Sequence, residues 1–236
     1  MEWRIHHSRK TASTNLDARA GSPGDVYTAD CQTAGRGRLD HRWLSPPGVN
    51  LLMSVVLSVE WLSPEHVSTL PLVVGLAVCC AIRKINPRGE SELTLSLKWP
   101  NDVLIGGKKV AGILCERIDE RVIVGIGVNV HRQHFPPEIA ESACFLGNVA
   151  IEQVRDAVLS ELSRVYEVWR KDGFVSLYRD IQEIDFLKGR YLSVWQTDDD
   201  VQPLRGICGG IREDGALQVA NQQVYAGEAH IEKVKR

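Results

Sequence analysis

Four stretches of this chain place cations, amides and glycines where they could act on an anionic ligand. Gln32 is followed by Gly35-Arg36-Gly37-Arg38, two guanidinium groups on pliable backbone. Arginine suits bidentate contact with a carboxylate or phosphate, and glycine lets main chain approach a ligand and change shape. The G-x-x-x-x-G-K-[ST] order of a phosphate cradle is missing, as is a dinucleotide fingerprint. Standing alone, the run reads better as a solvated basic turn.

The second stretch is Lys98-Trp99-Pro100-Asn101-Asp102. The residue before a proline is pushed out of the helical region, so Asn101 and Asp102 sit where a strand begins. Asp102 could hold magnesium through oxygen, though Pro-Asn-Asp is also ordinary turn chemistry. In the third stretch, Gly106-Gly107-Lys108-Lys109-Val110-Ala111-Gly112, a glycine turn leads two lysines into an apolar strand. Alternation sends neighbouring side chains to opposite faces, so one lysine can point inward while the other stays in water. The sequence does not settle which, and a hairpin with two solvated lysines is equally open. The fourth, Gly125-Ile126-Gly127-Val128-Asn129-Val130, is a glycine-containing strand able to receive a flat ligand, ending in an amide suited to adenine edges.

The elements that must position these groups follow from periodicity. Ser13-Thr14-Asn15-Leu16-Asp17 offers a Ser/Thr N-cap with an acid three residues after Thr14, the start of a short helix. Residues 25–32 have strand composition, and residues 35–47, without apolar period, form a long loop of the kind that binds or covers ligands. Residues 50–59 are a buried strand and 64–85 an apolar helix. Short strands follow at 93–99, 103–105, 109–117 and 121–130. Residues 151–171 carry Val154, Val158, Leu162, Val165 and Trp169 at helical steps, with Gly173 as a C-terminal cap. Short alternating segments at 191–195, 202–211, 216–220 and 223–226, with a hairpin signal at Asp214-Gly215, suit a small barrel. The expected division is 1–187 and 188–236, with the boundary near 185–189. The main part mixes helices with mostly antiparallel strands, an α+β fold.

Composition narrows the function classes. The 236 residues are 44% hydrophobic and 25% charged, an ordinary globular balance. Twenty-eight Lys and Arg against 30 Asp and Glu give a net charge of −2, which excludes a globally basic nucleic-acid binder. No apolar run reaches the roughly 20 residues needed to cross a bilayer, and no signal-peptide core precedes Ser13. Six cysteines without C-x-x-C spacing imply reduced, mostly buried thiols in a cytoplasmic protein and no zinc site.

In this order the stretches resemble the biotin protein ligases. The resemblance rests on Ser13-Thr14-Asn15, the Gln-Thr-Ala-Gly-Arg-Gly-Arg run at 32–38, Trp43 and Lys98-Trp-Pro-Asn-Asp102. It continues through Lys109-Val-Ala-Gly-Ile-Leu114 and Gly125-Ile-Gly-Val-Asn129. It implies a catalytic domain like that of the class II aminoacyl-tRNA synthetases, with a mixed, mostly antiparallel sheet and a small SH3-like barrel. It implies a reaction in which biotin and Mg2+-ATP give biotinyl-5′-AMP, followed by transfer to a lysine of a biotin carboxyl carrier domain. Lys109 and Arg38 would be catalytic. Ser13, Thr14, Asn15, Gln32, Gly35, Arg36, Gly37, Arg38 and Lys109 would hold biotin. Trp43, Asn50, Lys98, Asn101 and Asn129 would hold the nucleotide, and Asp102 the magnesium. A homodimer through sheet edges and a cytoplasmic location are further implications, with no nucleic acid or membrane as partner.

The sequence departs from the family pattern at His41, where a further arginine is common, so that cation is titratable or is supplied by Arg42. Leu39-Asp40 places an acid where a basic residue or glycine is common. About ten residues precede Ser13, too few for an N-terminal DNA-binding domain, so no repressor role is expected. The rival readings are a lipoate–protein ligase, with a serine- and glycine-rich loop in place of residues 35–43, a non-catalytic adenylate-binding relative, and a nucleic-acid-binding module.

Overall fold

The computed structural model describes residues 1–39, 41–60, 67–85, 93–197 and 201–232. Seven strands form one sheet in the order β1-β2-β3-β7-β6-β5-β4. They are β1 (Arg4–Ser8), β2 (Asp25–Ala29), β3 (Asn50–Ser58), β4 (Leu95–Lys98), β5 (Asp102–Ile105), β6 (Lys108–Ile118) and β7 (Arg121–Asn129). Only β1 and β2 run parallel; every other pairing in this sheet is antiparallel. The mixed, mostly antiparallel α+β architecture expected from the sequence is present.

Period-two alternation divides the sheet into two unlike faces. Leu51, Met53, Val55 and Leu57 of β3 and Val124, Ile126 and Val128 of β7 belong to the main hydrophobic core. Against them pack α2 (Leu70–Ile85) and α3 (Ile151–Asp172), whose Val154, Val158, Leu162, Val165 and Trp169 are buried at the predicted helical steps. Gly75 of α2 is a notch for Leu97 of β4, since a Cβ there would lie 2.4 Å from a Leu97 methyl. The helix α3 closes at Gly173, whose φ of 76° favours glycine and whose N–H reaches Trp169 O at 2.9 Å. The sheet's other face carries the candidate site.

Several expected elements shift. The strand at 25–32 ends at Ala29, and Gln32 instead bridges Thr11. The short helix α1 (Thr14–Asp17) starts at Ser13, but no side chain caps it. Thr14 is committed to Gln32, and Asp17 accepts from Thr11 Oγ1 at 2.9 Å, so the capping pair does not form. The first three residues of the helix expected at 64–85 lie outside the described residues, as does Asp40. The strand β1 and the helix α4 (Val175–Glu183), whose buried Leu177 and Ile181 stand one turn apart, were not among the expected elements. All six cysteines are free; only Cys79 and Cys208 are buried, fewer than composition implied.

The last described residues form a second, antiparallel sheet in the order β11-β10-β9-β8-β12. Its strands are β8 (Tyr191–Trp195), β9 (Leu204–Ile211), β10 (Leu217–Val219), β11 (Gln222–Val224) and β12 (Glu228–Ile231). Asp214-Gly215 turns β9 into β10, as its sequence predicts, with Gly215 at φ 82°. Strands β11 and β12 stand at opposite edges, so the described pairings do not close a barrel. Trp99 Nε1 donates to Gly215 O at 3.1 Å, tying this sheet to the first. No helix among the described residues is long and apolar enough to cross a membrane.

One buried charge in this core gives a pH test. Glu161 of α3 is 2% exposed; Lys84 donates to one of its oxygens and Arg164 Nε to the other at 3.0 Å. Burial pushes its carboxyl up, but the hydrogen bonds from Lys84 and Arg164 outweigh this and hold it below the usual carboxylate range. A depressed folded value contributes stability above the unfolded pKa, and this is lost as pH falls through the folded value. The stability gap between wild type and Glu161→Gln in urea titrations should therefore narrow from pH 7 to pH 3. A gap that is constant with pH would contradict this.

Candidate active site

On the face of the sheet turned away from the helices, three glycines make a low floor. Gly112 of β6 and Gly127 of β7 are paired neighbours, and Leu114 faces Gly125 in the same ladder. Glycine within a strand marks close approach by another group, and here two side chains use the space. A Cβ on Gly127 would lie 2.6 Å from the Trp43 indole, and one on Gly125 would lie 2.2 Å from Asn15 Oδ1. Above this floor opens a cleft of about 690 Å³, within the range of about 300–1,000 Å³ that encloses a small ligand.

A β-bulge settles the question of the two lysines. Asp102 pairs with Gly112 and Val103 with Ala111, but Leu104 then pairs with Lys109, so Val110 is the extra residue. Regular alternation from Gly112 would send Lys109 toward the helices; the bulge returns it to the face of Asp102 and Gly112. Lys109 Nζ accordingly lies 2.7 Å from Asp102 Oδ1 and 5.6 Å from the centre of the Trp43 ring. Lys108 faces solvent, its nearest acid Glu141 at 4.0 Å. The disturbed ladder leaves Lys109 backbone groups to a further segment: its N–H donates to Ser142 O at 2.7 Å and its carbonyl accepts from Cys144 N at 2.9 Å.

The glycine-arginine loop is folded back on itself. Trp43 N donates to Gly35 O at 3.0 Å and Gly37 N to His41 O at 2.7 Å. A Cβ on Gly35 would meet the Trp43 carbonyl at 2.5 Å, which makes glycine necessary there. The two arginines diverge: Arg36 Nη1 donates to Glu116 Oε1 at 2.8 Å, and Arg38 Nη1 to Gly227 O at 3.2 Å. Burial lowers the pKa of the Arg38 guanidinium, while the Asp102 and Glu228 carboxylates oppose that shift. Its charge is thus held in a partly dehydrated position, where its field is strong.

The end of the cleft nearest α1 is a chain of hydroxyls and amides. Gln32 Oε1 accepts from Thr14 N at 2.7 Å and from Thr14 Oγ1 at 3.1 Å. Ser54 Oγ stands 2.7 Å from Thr14 Oγ1 and 2.6 Å from Asn15 Oδ1. Ser13, Thr14 and Asn15 are all buried.

Of the residues predicted from sequence, Ser13, Thr14, Asn15, Gln32, Arg36, Gly37, Arg38, Trp43, Lys98, Asn101, Asp102, Lys109 and Asn129 all border this one cleft. Gly35 and Asn50 do not. Gly35 is packed beneath Trp43. Asn50 exchanges hydrogen bonds with Gln133 and accepts from Val130 N at 3.1 Å, a staple behind the site. Asn101 and Asn129 spend their amide N–H groups on Ile113 O and Cys144 O. Both His41 and Arg42 border the cleft.

Sequence reasoning missed two kinds of residue. Ser54 and Glu116 hold lining side chains in place, and each stands in step with the site face of its strand: Ser54 pairs with Gly125, and Glu116 follows Gly112 and Leu114 by twos. That alternation was the available signal. Residues 131–146 also supply lining groups, among them Gln133, Phe135 and Ile139. Their irregular backbone has no period to read.

The floor supplies a test. Gly127→Ala should push the Trp43 indole off the sheet and raise acrylamide quenching of tryptophan fluorescence. The same substitution in a Trp43→Phe background should leave quenching unchanged, and an equal rise in both backgrounds would place the indole elsewhere.

Comparison with known proteins agrees with this geometry. Residues 5–132 match the Biotin/lipoate A/B protein ligase family. Over 176 residues the chain is 35% identical to the "Bifunctional ligase/repressor BirA" of Bacillus subtilis, covering 71% of this chain and 52% of that protein. Over 172 residues it is 36% identical to the "Biotin--[acetyl-CoA-carboxylase] ligase" of Mycobacterium tuberculosis, covering 68% and 63%. The matched region thus spans only 52% to 63% of these relatives. The solved biotin protein ligase from Aquifex aeolicus in complex with biotin and ATP superposes with a TM-score of 0.85 at 28% identity, covering 98% of this chain and 99% of that one. From its matched motifs, its sheet and its cleft, the chain belongs to the biotin/lipoate A/B protein ligase family.

Proposed function

We propose that this protein is a biotin–protein ligase, joining biotin to ATP as biotinyl-5′-AMP and passing biotin to a lysine of a biotin carboxyl carrier domain. One observation carries the reading: Arg38, Lys109 and Asp102 open onto the same cleft as the polar chain of Thr14, Asn15 and Gln32. The Mycobacterium tuberculosis relative, a biotin--[acetyl-CoA-carboxylase] ligase, and the Aquifex aeolicus structure in complex with biotin and ATP support the choice of biotin and ATP. The polar chain also favours a cyclic urea, whose N–H and carbonyl groups would pair with it. The dithiolane of lipoate would leave buried polar groups unmatched, at about 1–3 kcal/mol each.

In the first step the biotin carboxylate attacks the α-phosphorus, and the bond to the departing pyrophosphate breaks. Two anions must meet, so cations fixed where charge develops are the main device. Lys109 bridges the carboxylate and the α-phosphate, with Asp102 holding its ammonium in place. Arg38 supplies a second, desolvated charge. Trp43 offers its ring to the adenine, with Lys98, Asn101 and Asn129 around the nucleotide, and Asn50 acts only from behind the cleft by holding Gln133. In the second step the carrier lysine's amine attacks the acyl carbon and AMP leaves. The mixed anhydride is fragile to water, and the loop at residues 35–43 would cover it.

Magnesium arrives with ATP as part of the substrate. Among the described residues no group of three or more His, Cys, Asp and Glu side chains could hold a metal. Asp102, which borders the cleft, is the carboxylate that would meet the ion. When bound, the ion neutralises charge on the pyrophosphate.

The same reading extends to the rest of the chain. Residues 1–187 form a catalytic domain of the class II synthetase type, and 188–236 a small domain related to SH3-like barrels, as the short strands and the shift of register between β9 and β10 suggest. The protein works in the cytoplasm, and a homodimer would use the outer edge of β1, which pairs only with β2.

The deciding assay is ATP–pyrophosphate exchange with biotin or lipoate as the acid. Exchange should require biotin, and Lys109→Ala should lower it by about two orders of magnitude or more, the scale for a lost electrostatic group at a reacting centre, with unchanged urea stability. Exchange driven by lipoate alone would favour the rival acid, and a near-wild-type rate in Lys109→Ala would remove that residue from its role.

A further inference from the structure

Glu116 does not border the cleft, yet it holds two side chains that do. Its Oε2 accepts from Asn15 Nδ2 at 2.7 Å and its Oε1 from Arg36 Nη1 at 2.8 Å, with Arg19 Nη2 at 3.6 Å from the same Oε1. Asn15 belongs to α1, Arg36 to the glycine-arginine loop and Glu116 to β6. A single carboxylate, 18% exposed, therefore ties three separate pieces of chain together at the polar end of the cleft.

The bond to Asn15 fixes more than one side chain. With its amide N–H given to Glu116, Asn15 must turn Oδ1 toward Ser54 Oγ at 2.6 Å. The bare backbone of Gly125 leaves that oxygen its space. Ser54 Oγ, its one proton given to Asn15, can only accept from the Thr14 hydroxyl 2.7 Å away, and the Thr14 N–H donates to Gln32 Oε1 at 2.7 Å. The oxygen of Gln32 is thereby used within the protein, leaving Nε2 as the part of the amide able to donate to a ligand.

We propose that Glu116 is a positioning residue for the acyl substrate: it sets the donor and acceptor pattern of the Asn15–Ser54–Thr14–Gln32 chain and tethers the loop through Arg36. The proposal rests on the biotin-ligase reading. Its two carboxylate oxygens serve separable ends, because a glutamine at this position still offers one acceptor to Asn15 but no charge to Arg36.

The test is steady-state adenylate synthesis and the release rate of preformed adenylate, measured on the full chain as wild type, Glu116→Ala, Glu116→Gln, Arg36→Ala and the Glu116→Ala/Arg36→Ala double variant. Glu116→Ala should raise the KM for biotin about tenfold or more while the KM for ATP stays within about twofold, the scale of one lost charge-assisted hydrogen bond. Glu116→Gln should keep the biotin KM near wild type but release adenylate as fast as Arg36→Ala. The double variant should release it no faster than either single one. Equal rises in both KM values, as general loosening would give, overturn the assignment, as do multiplying effects in the double variant. If Glu116→Ala does not fold, wild-type retention of adenylate by Glu116→Gln overturns it alone. A wild-type chain that makes no adenylate from biotin refutes the ligase reading itself, a result distinct from all of these.

Discussion

The cleft depends on how a β-strand shares its side chains between two faces. In the central sheet one face is given mostly to Val, Ile, Leu and Met packed on α2 and α3. The other is kept low by Gly112, Gly125 and Gly127, so that an indole and a carboxamide can lie directly on the backbone. That face also carries the polar side chains of Ser54, Asp102 and Glu116, and the extra residue at Val110 adds a cation to them by moving Lys109 from the face it would occupy in regular pairing to the face of Asp102. Val110 itself stays fully buried, so the bulge costs the core no side chain.

Gathering cations in one place raises the problem of their mutual repulsion and of their removal from water. Three of them have a counter-charge. Lys109 has Asp102, Arg36 has Glu116, and Arg38 lies in the field of Asp102 and Glu228 while donating to the Gly227 carbonyl. These partners hold the cations in the absence of a ligand, and an arriving carboxylate or phosphate meets groups already oriented. That is preorganisation in the sense that matters for electrostatic catalysis, since little reorientation is left for the moment of reaction. Arg38 draws its backbone partner from the corner before β12 and Trp99 from the β9–β10 turn, so the second sheet helps to brace the cleft.

Much of this was legible in the residues. The glycine and arginine run, the Lys-Trp-Pro-Asn-Asp stretch and the glycine strand were singled out for their chemistry, and all three border the cleft. The long helices followed from their apolar steps, and Gly173 from its place after the last one. Less accessible was anything set by pairing between distant strands. A bulge is a property of two strands in register, so Lys108 and Lys109 were indistinguishable until β5 was laid beside β6. Ser54 and Glu116 were overlooked because their partners, Thr14 and Asn15, lie 40 and 101 residues away in the chain, respectively. Strand β1 consists entirely of exposed residues and gave no alternation, and residues 131–146 owe their course to hydrogen bonds with Val49, Lys109 and Asn129 rather than to any period of their own.

The most direct measurement of the central claim is lysine footprinting, in which surface amines are acetylated and read by mass spectrometry with and without biotin and a non-hydrolysable ATP analogue. The bulge predicts that the ligands shield the Lys109 amine strongly while Lys108, one residue away, is modified at the same rate in both states. Equal shielding of the neighbours, or shielding of Lys108 alone, would mean that the ammonium group facing the cleft is not the one the sheet's register assigns.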